Sequence, residues 1–152
     1  MRDFDRPLSH RGQRDAPRIG DFLAEHIEPD RVLVSPALRT RQTWDLVAER
    51  LHGQPDVDYA PELYHGAPHG MLDLIREQDD AYAAIMLVAH NPGIEDLAHR
   101  LSGSGNADAL SRLAVKYPTA ALAEIRVDCA SWDTLAWAVG DLLRFVVPGD
   151  LP

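Results

Sequence analysis

The chain has 152 residues, a length typical of one domain that buries a sizeable apolar core without disulfides or metals. Its 24 acidic and 15 basic residues give a formal net charge of −9. The composition shows no basic footprint for nucleic acid, and an anionic membrane surface would repel a chain of this net charge. We therefore expect a single domain over residues 1–152 that binds neither.

The compartment also follows from composition. No apolar run reaches the roughly 18 residues that a bilayer-spanning helix needs, and the charged N-terminus lacks the apolar region of a secretory signal. Cys129 is the only cysteine, which rules out a disulfide framework and a cluster of thiolate metal ligands. These features predict a cytoplasmic protein.

The first half of the chain alternates helical and strand-like patterns. Apolar residues recur at helical spacing from Asp15 to Ile27, and the β-branched run at 31–35 predicts a short buried strand. Residues 37–51 predict a second helix. We expect a short strand at Val57–Ala60 and a third helix around 71–75.

The second half continues this alternation. Tyr82–Ala89 is the most apolar run, which predicts a central strand covered on both faces. Ile94–Leu101 predicts a helix that ends at Gly103–Gly105. Ala120–Val127 and Trp132–Val139 predict a closing hairpin. The whole pattern indicates an α/β fold: a mostly parallel sheet with helices on both faces and antiparallel character toward its end.

Two polar clusters follow predicted strands. In the first, residues 35–43 leave a strand and enter a helix, whose free N–H groups and dipole favour an anion. Arg39, in the first turn of that helix, is placed to add a bidentate contact to the anion. The alternative is a solvated, charged helix start.

The second cluster is the turn His90–Gly93, which ends the most apolar run. Imidazole suits proton transfer or phosphate contact near neutral pH. The alternative is a histidine that merely caps a strand. Because ligands of open α/β sheets bind beyond the carboxyl ends of the strands, the two clusters together favour a site that contains Arg39 and His90.

Other candidates are weaker. His65 and His69 have the spacing of two metal ligands on a helix, but Gly66, Pro68 and Gly70 disfavour a helix there and no third ligand is near. We therefore predict no metal. Glu62 is either a carboxylate at the rim of the site or a surface acid, and Cys129 has no basic neighbour to activate it.

Three ordered segments resemble the histidine phosphatase superfamily: Asp5–Gly12, residues 35–43 and Val88–Gly93. The His-Asn-Pro-Gly turn and the closing Pro148–Pro152 resemble its SixA-like phosphohistidine phosphatase branch. The resemblance implies a three-layer fold of the phosphoglycerate mutase type and a metal-independent phosphatase without a cofactor. It implies as partner a phosphohistidine protein or a phosphorylated small molecule.

The resemblance also implies roles for individual residues. In this family a histidine of an Arg-His-Gly block, at the end of the first strand, attacks phosphorus and carries a phosphohistidine that water then hydrolyses. The residues that match Arg39 and His90 hold the phosphoryl oxygens. We place Asn91, beside His90, among the substrate-binding residues as well.

The chain departs from the family at the nucleophile, because no Arg-His pair occurs in residues 1–152. His10–Gly12 has the reverse order and aligns with the element that opens the first helix, so we reject it. We expect the sequence to begin after the first strand of the family, through a start codon placed too late rather than through a shortened or remnant chain. An open strand edge should then lie near Val32–Val34 or Ile85–Val88. The alternative to a phosphatase is that the chain forms an inactive phosphate-binding or interaction module.

Overall fold

The structure, a computed structural model, describes residues 1–152 and has an α/β architecture. The helices are α1 (His10–His26), α2 (Leu38–Ala48), α3 (Pro68–Arg76), α4 (Gly93–Leu101) and α5 (Ala107–Val115). The strands are β1 (Arg31–Val34), β2 (Asp56–Tyr59), β3 (Ile85–Val88), β4 (Ser102–Gly105), β5 (Leu122–Val127) and β6 (Gly140–Val146). Single 3-10 turns lie at Asp3–Asp5, Pro61–Leu63, Trp132–Thr134 and Pro148–Asp150. None of the helices has the length and apolar character of a membrane span.

The strands form two three-stranded sheets. The first has the order β2-β1-β3 and is parallel throughout. The second has the order β4-β6-β5, in which β6 runs parallel to β4 and antiparallel to β5. The predicted α/β class, with mostly parallel pairing and antiparallel character near the end, is confirmed.

Helices cover both faces of the first sheet, as the alternation of side chains along β1 shows. Val32 and Val34 are fully buried in an apolar cluster with residues of α1 and α2. Leu33, between them, is fully buried in a second cluster with residues of α3 and α4. Successive side chains of a strand point to opposite faces. The result is a layered α/β/α arrangement with β1 at its centre.

Helix α1 begins five residues earlier than the apolar spacing predicted. The Ser9 hydroxyl accepts a hydrogen bond from the Gly12 N–H at 3.1 Å and so caps the helix at His10. Pro17 therefore lies inside α1. Its missing N–H costs the helix one hydrogen bond, which the buried face of Ala16, Ile19 and Leu23 offsets.

The prediction of a central strand at Tyr82–Ala89 is wrong in position. Only Ile85–Val88 is extended, and this strand lies at the edge of its sheet, while β1 takes the centre. Ile85, Met86 and Leu87 are only partly buried. The most apolar run of the sequence is therefore not the strand that has neighbours on both sides.

One edge of β3 has no strand partner. The Arg31 and Ser35 N–H groups donate to the carbonyls of Ala84 and Val88 at 3.2 and 2.9 Å. In a parallel pair these bonds alternate, so the backbone groups of Ile85 and Leu87 point away from β1. The expected open edge is thus found at β3, whereas β1 has neighbours on both sides.

The end of the chain corrects the predicted hairpin. Its first strand is present as β5, but Trp132–Val139 is not a strand, and Gly140–Val146 pairs with β5 instead. Ala138 has a φ of 61°, which interrupts an extended run. Trp132 turns its indole N–H to the Tyr82 carbonyl at 2.9 Å.

The sequence patterns also missed α5 and β4. Gly103–Gly105 ends α4 as predicted but then pairs with β6 as part of β4. A Cβ built at Gly103 would lie 1.9 Å from the Ala138 carbonyl oxygen, so only glycine allows this close approach.

Candidate active site

Arg39 and His90 meet at the carboxyl edge of the first sheet. Arg39 lies in the first turn of α2, after β1, and His90 lies two residues beyond the end of β3. Because β1 and β3 are parallel neighbours, their carboxyl ends share one edge. Arg39 Nη2 is 3.2 Å from His90 Nδ1. The structure therefore brings the two predicted residues together, while their roles toward a phosphoryl group stay a prediction.

The contact with Arg39 indicates which ring nitrogen of His90 carries the hydrogen. A guanidinium has donors only, so His90 Nδ1 must accept and the ring hydrogen lies on Nε2. That nitrogen is 2.7 Å from the Ser35 hydroxyl oxygen, to which it donates. Burial, followed by the charge of Arg39, lowers the pKa of His90 from 6.5 to about 4. The imidazole is thus neutral at pH 7.

Hydrogen bonds to the end of β1 anchor the start of α2, whereas no side chain caps its first backbone N–H groups. Ser35 is fully buried, and its carbonyl accepts a hydrogen bond from the Thr40 hydroxyl at 2.7 Å. The N-cap residue, Ala37, offers no side-chain acceptor to the first N–H groups of α2. These groups and the helix dipole add positive potential on the side where Arg39 lies.

The loop before α3, residues 64–67, lines the site beside His90. A Cβ built at Gly93 would lie 2.3 Å from the Gly66 carbonyl oxygen, so glycine lets the start of α4 pack directly on this loop. The Tyr64 ring consequently contacts the His90 ring edge-on, with centroids 5.6 Å apart. The His65 ring lies 4.2 Å from that of Tyr64.

A carboxylate from the N-terminal turn completes the cluster. Arg39 Nη1 donates to the Asp3 carbonyl at 2.9 Å, and Nη2 lies 3.2 Å from Asp3 Oδ2. Tyr64 donates its hydroxyl to the same Oδ2 at 2.7 Å, and Arg6 Nη2 lies 3.0 Å from Oδ1. The Tyr64 hydrogen bond is the largest cause that lowers the pKa of Asp3, and the charges of Arg39 and Arg6 act in the same direction. Asp3 is therefore ionised at pH 7.

Sequence reasoning missed Asp3, Arg6 and Tyr64 as members of this site. Arg6 lies in the first of the family-like segments and Asp3 just before it, so that segment was the available signal. Tyr64 carries no local signal, because only the packing of its loop against α4 places it beside His90.

Asn91 and Arg41 use their side chains elsewhere. Asn91 Nδ2 donates to the Tyr117 carbonyl at 2.8 Å, so this amide supports the segment before β5. Its predicted role in substrate binding stays a prediction. Arg41 Nε donates to the Pro36 carbonyl at 3.0 Å on the exposed side of α2.

The weaker candidates lie apart from one another. His65 packs on Tyr64, whereas His69, in the first turn of α3, packs edge-on against Trp137 with centroids 5.6 Å apart. No group of three or more His, Cys, Asp or Glu side chains is arranged to hold a metal ion. Glu62 is exposed, and burial raises the pKa of the Cys129 thiol.

Comparison with known proteins supports one family. The sequence profile of the histidine phosphatase superfamily (branch 1) matches residues 2–84. An uncharacterised protein of Mycobacterium leprae is 33% identical over 148 residues, which cover 96% of this chain and 89% of that protein. The phosphohistidine phosphatase SixA of Escherichia coli is 25% identical over 138 residues, covering 89% of this chain and 81% of SixA.

Solved structures agree with this grouping. A protein from Nakamurella multipartitia assigned as phosphohistidine phosphatase SixA superposes with a TM-score of 0.86 at 27% identity, covering 97% of this chain and 88% of that one. One from Agrobacterium tumefaciens, with the same assignment, gives 0.80 at 31% identity over 97% of this chain and 87% of that one. The chain therefore belongs to the histidine phosphatase superfamily, in its SixA-like branch.

Proposed function

We propose that this chain forms the phosphoryl-binding body of a metal-independent phosphatase that acts on phosphohistidine or a small phosphorylated molecule. The observation that carries the proposal is the 3.2 Å approach of Arg39 and His90 at the carboxyl edge of β1 and β3. Arg39 would bind two phosphoryl oxygens with its planar fork. His90 would contact a third through Nδ1, which must take up a proton as the anion binds because an ionised phosphoryl oxygen only accepts hydrogen bonds.

The electrostatics of the site suit an anion. Arg6 and Arg39 converge on one carboxylate, and the first N–H groups of α2 lie beside them. In phosphoryl transfer, fixed donors of this kind stabilise the charge that spreads over the equatorial oxygens. Relatives that bear the name phosphohistidine phosphatase favour a phosphohistidine substrate for this chain.

The reaction that family resemblance implies needs a nucleophile beyond Arg39 and His90. A histidine nitrogen would attack phosphorus, the bond from phosphorus to the leaving group would break, and water would then hydrolyse the phosphohistidine. Residues 1–152 contain no Arg-His pair to supply that histidine. His90 itself is a poor candidate, because its Nδ1 faces Arg39 and its Nε2 faces Ser35.

The open edge of β3 offers a place for a strand that carries the nucleophile. A strand paired in parallel with β3 would end at the same sheet edge as His90. Its last residues would then lie next to His90, at the sheet edge that also carries Arg39. The phosphatase proposal therefore includes a strand of this kind, and the second candidate function, a phosphate-binding module without turnover, applies where none is present.

The test compares the 152-residue chain with one extended upstream of Met1 by an apolar strand that ends in Arg-His-Gly. The extended chain should hydrolyse phosphohistidine and form a phosphoenzyme, whereas the 152-residue chain should bind phosphate without turnover. The matched control carries Arg-Ala-Gly at the end of the added strand.

The outcomes separate the two functions. Turnover in the Arg-His-Gly chain alone supports the phosphatase, and phosphate binding without turnover in all three chains supports the binding module. Hydrolysis by the 152-residue chain at the rate of the extended one would show that the nucleophile lies within residues 1–152. Retained activity in a chelator would separate this chemistry from that of a metal-dependent hydrolase.

A further inference from the structure

The Asp3 carboxylate occupies the donors that an incoming phosphoryl group would need. Both terminal nitrogens of Arg39 contact Asp3, one through its carbonyl and one through Oδ2. The Tyr64 hydroxyl and Arg6 complete a shell of donors around this one carboxylate. In charge and in its set of donors, this carboxylate is the protein's own analogue of a bound phosphoryl oxyanion.

We propose that Asp3 is an internal ligand that competes with phosphoryl oxyanions for Arg39 and thereby sets the affinity of the site. The inference rests on the proposed function, since it takes Arg39 as a phosphoryl ligand. Asp3 would leave Arg39 when a phosphorylated ligand enters and would return when the product leaves.

The turn that carries Asp3 is built to be displaced. The 3-10 helix Asp3–Asp5 buries none of its residues, and the Asp3 side chain is 52% exposed. Beyond the contacts of Asp3, the Phe4 ring of this turn meets Tyr64 edge-on, with centroids 5.0 Å apart. Exposed ion pairs contribute little stability, so a dianionic phosphoryl group can outcompete a single carboxylate.

Competition of this kind has a measurable consequence. When only a fraction of the molecules has Arg39 free, the apparent dissociation constant for phosphate equals the intrinsic one divided by that fraction. Removing the Asp3 charge should therefore tighten phosphate binding. If Asp3 instead held Arg39 in the correct position for phosphate, the same change would weaken binding.

Asp5 provides a matched control. It belongs to the same turn and carries the same charge, but it pairs with Arg2 at 2.9 Å rather than with Arg39. Asp5→Asn thus removes one negative charge from the same region without freeing a donor of Arg39. The difference in phosphate affinity between Asp3→Asn and Asp5→Asn isolates the effect of the Asp3–Arg39 contact from the effect of removing one negative charge nearby.

The experiment is a calorimetric titration, at pH 7, of the 152-residue chain and its variants with inorganic phosphate. Asp3→Asn should bind phosphate about three- to tenfold more tightly than the unchanged chain, as expected from the loss of an exposed ion pair and a hydrogen bond. Asp5→Asn should change the affinity less than about twofold. Equal or weaker binding by Asp3→Asn would overturn the proposal.

Arg39→Ala distinguishes failure of this inference from failure of the proposed function. If Arg39→Ala abolishes binding but Asp3→Asn does not improve it, the phosphate site stands and the competitor does not. If no variant binds phosphate, both are wrong. Thermal unfolding of each variant confirms that the comparison is made between folded chains.

Discussion

Strands β1 and β3 are parallel neighbours of similar apolar composition, yet their surroundings differ sharply. β1 has a strand on each side, and its Val32, Leu33 and Val34 are fully buried. β3 pairs only with β1 and is partly exposed along most of its length. Each strand nevertheless leads directly to a residue of the candidate site, Arg39 after β1 and His90 after β3.

The difference separates two requirements of the site. The side chains that would hold a phosphoryl group meet at the end of β1, which has a strand on each side: Arg39 follows this strand, and His90, which follows β3, contacts Arg39 and Ser35. The nucleophile that the proposed function requires would lie next to the free edge of β3. If the proposed function holds, binding of an oxyanion and its chemical turnover should therefore be separable in this chain.

The greatest loss of stability is expected in a matched pair of leucines on β1 and β3. Leu33 and Leu87 lie opposite each other in the register of β1 and β3 and pack with the same apolar cluster, but only Leu33 is fully buried. Leu33→Ala should lower the free energy of unfolding by about 3 kcal/mol, and Leu87→Ala by about 1–2 kcal/mol. Denaturant unfolding measures both. Equal losses would mean that β3 is as well enclosed as β1.

A smaller effect is expected at the point where the ends of β1 and β3 meet. Arg39→Ala removes the charged contact that joins α2 to His90, so phosphate binding should weaken by about 1.5–3 kcal/mol, or roughly 10- to 150-fold. Arg41→Ala should change binding less than about twofold, because Arg41 bonds the Pro36 carbonyl on the exposed side of α2. Similar losses from both would indicate a diffuse basic surface.

The smallest effect is local and concerns the backbone of β3. The N–H groups of Ile85 and Leu87 face the free edge, whereas those of Met86 and Val88 face β1. Amide hydrogen exchange followed by NMR should therefore alternate along the strand, faster at Ile85 and Leu87. Uniform protection would show that this edge is covered in solution.

Local patterns predicted the elements that place the site. The runs that form β1 and β3, followed by Arg39 and His90, carried the α/β class and the joint site, because strand ends of a parallel sheet share one edge. The strand order did not follow. Apolar content alone made Ile85–Val88 look central, although burial depends on neighbours that are distant in sequence.

Non-local contacts account for the remaining differences. Asp3 reaches Arg39 and Tyr64 across 36 and 61 positions of sequence, and no local pattern encodes such pairs. The last strand begins after Ala138, whose positive φ breaks the extended run that the residues at 132–139 suggested. Helix α5, capped by the Asn106 side chain, was likewise not predicted.

The central claim is that Arg39 and His90 form one oxyanion site, and NMR titration of the His90 ring tests it most directly. Without phosphate, His90 should titrate with a pKa of about 4, below its ordinary 6.5, because burial and Arg39 disfavour the imidazolium. Bound phosphate, as an anion, favours the imidazolium and should raise this pKa. Arg39→Ala should suppress the response to phosphate. A His90 that titrates near 6.5, or that does not respond to saturating phosphate, would contradict the account.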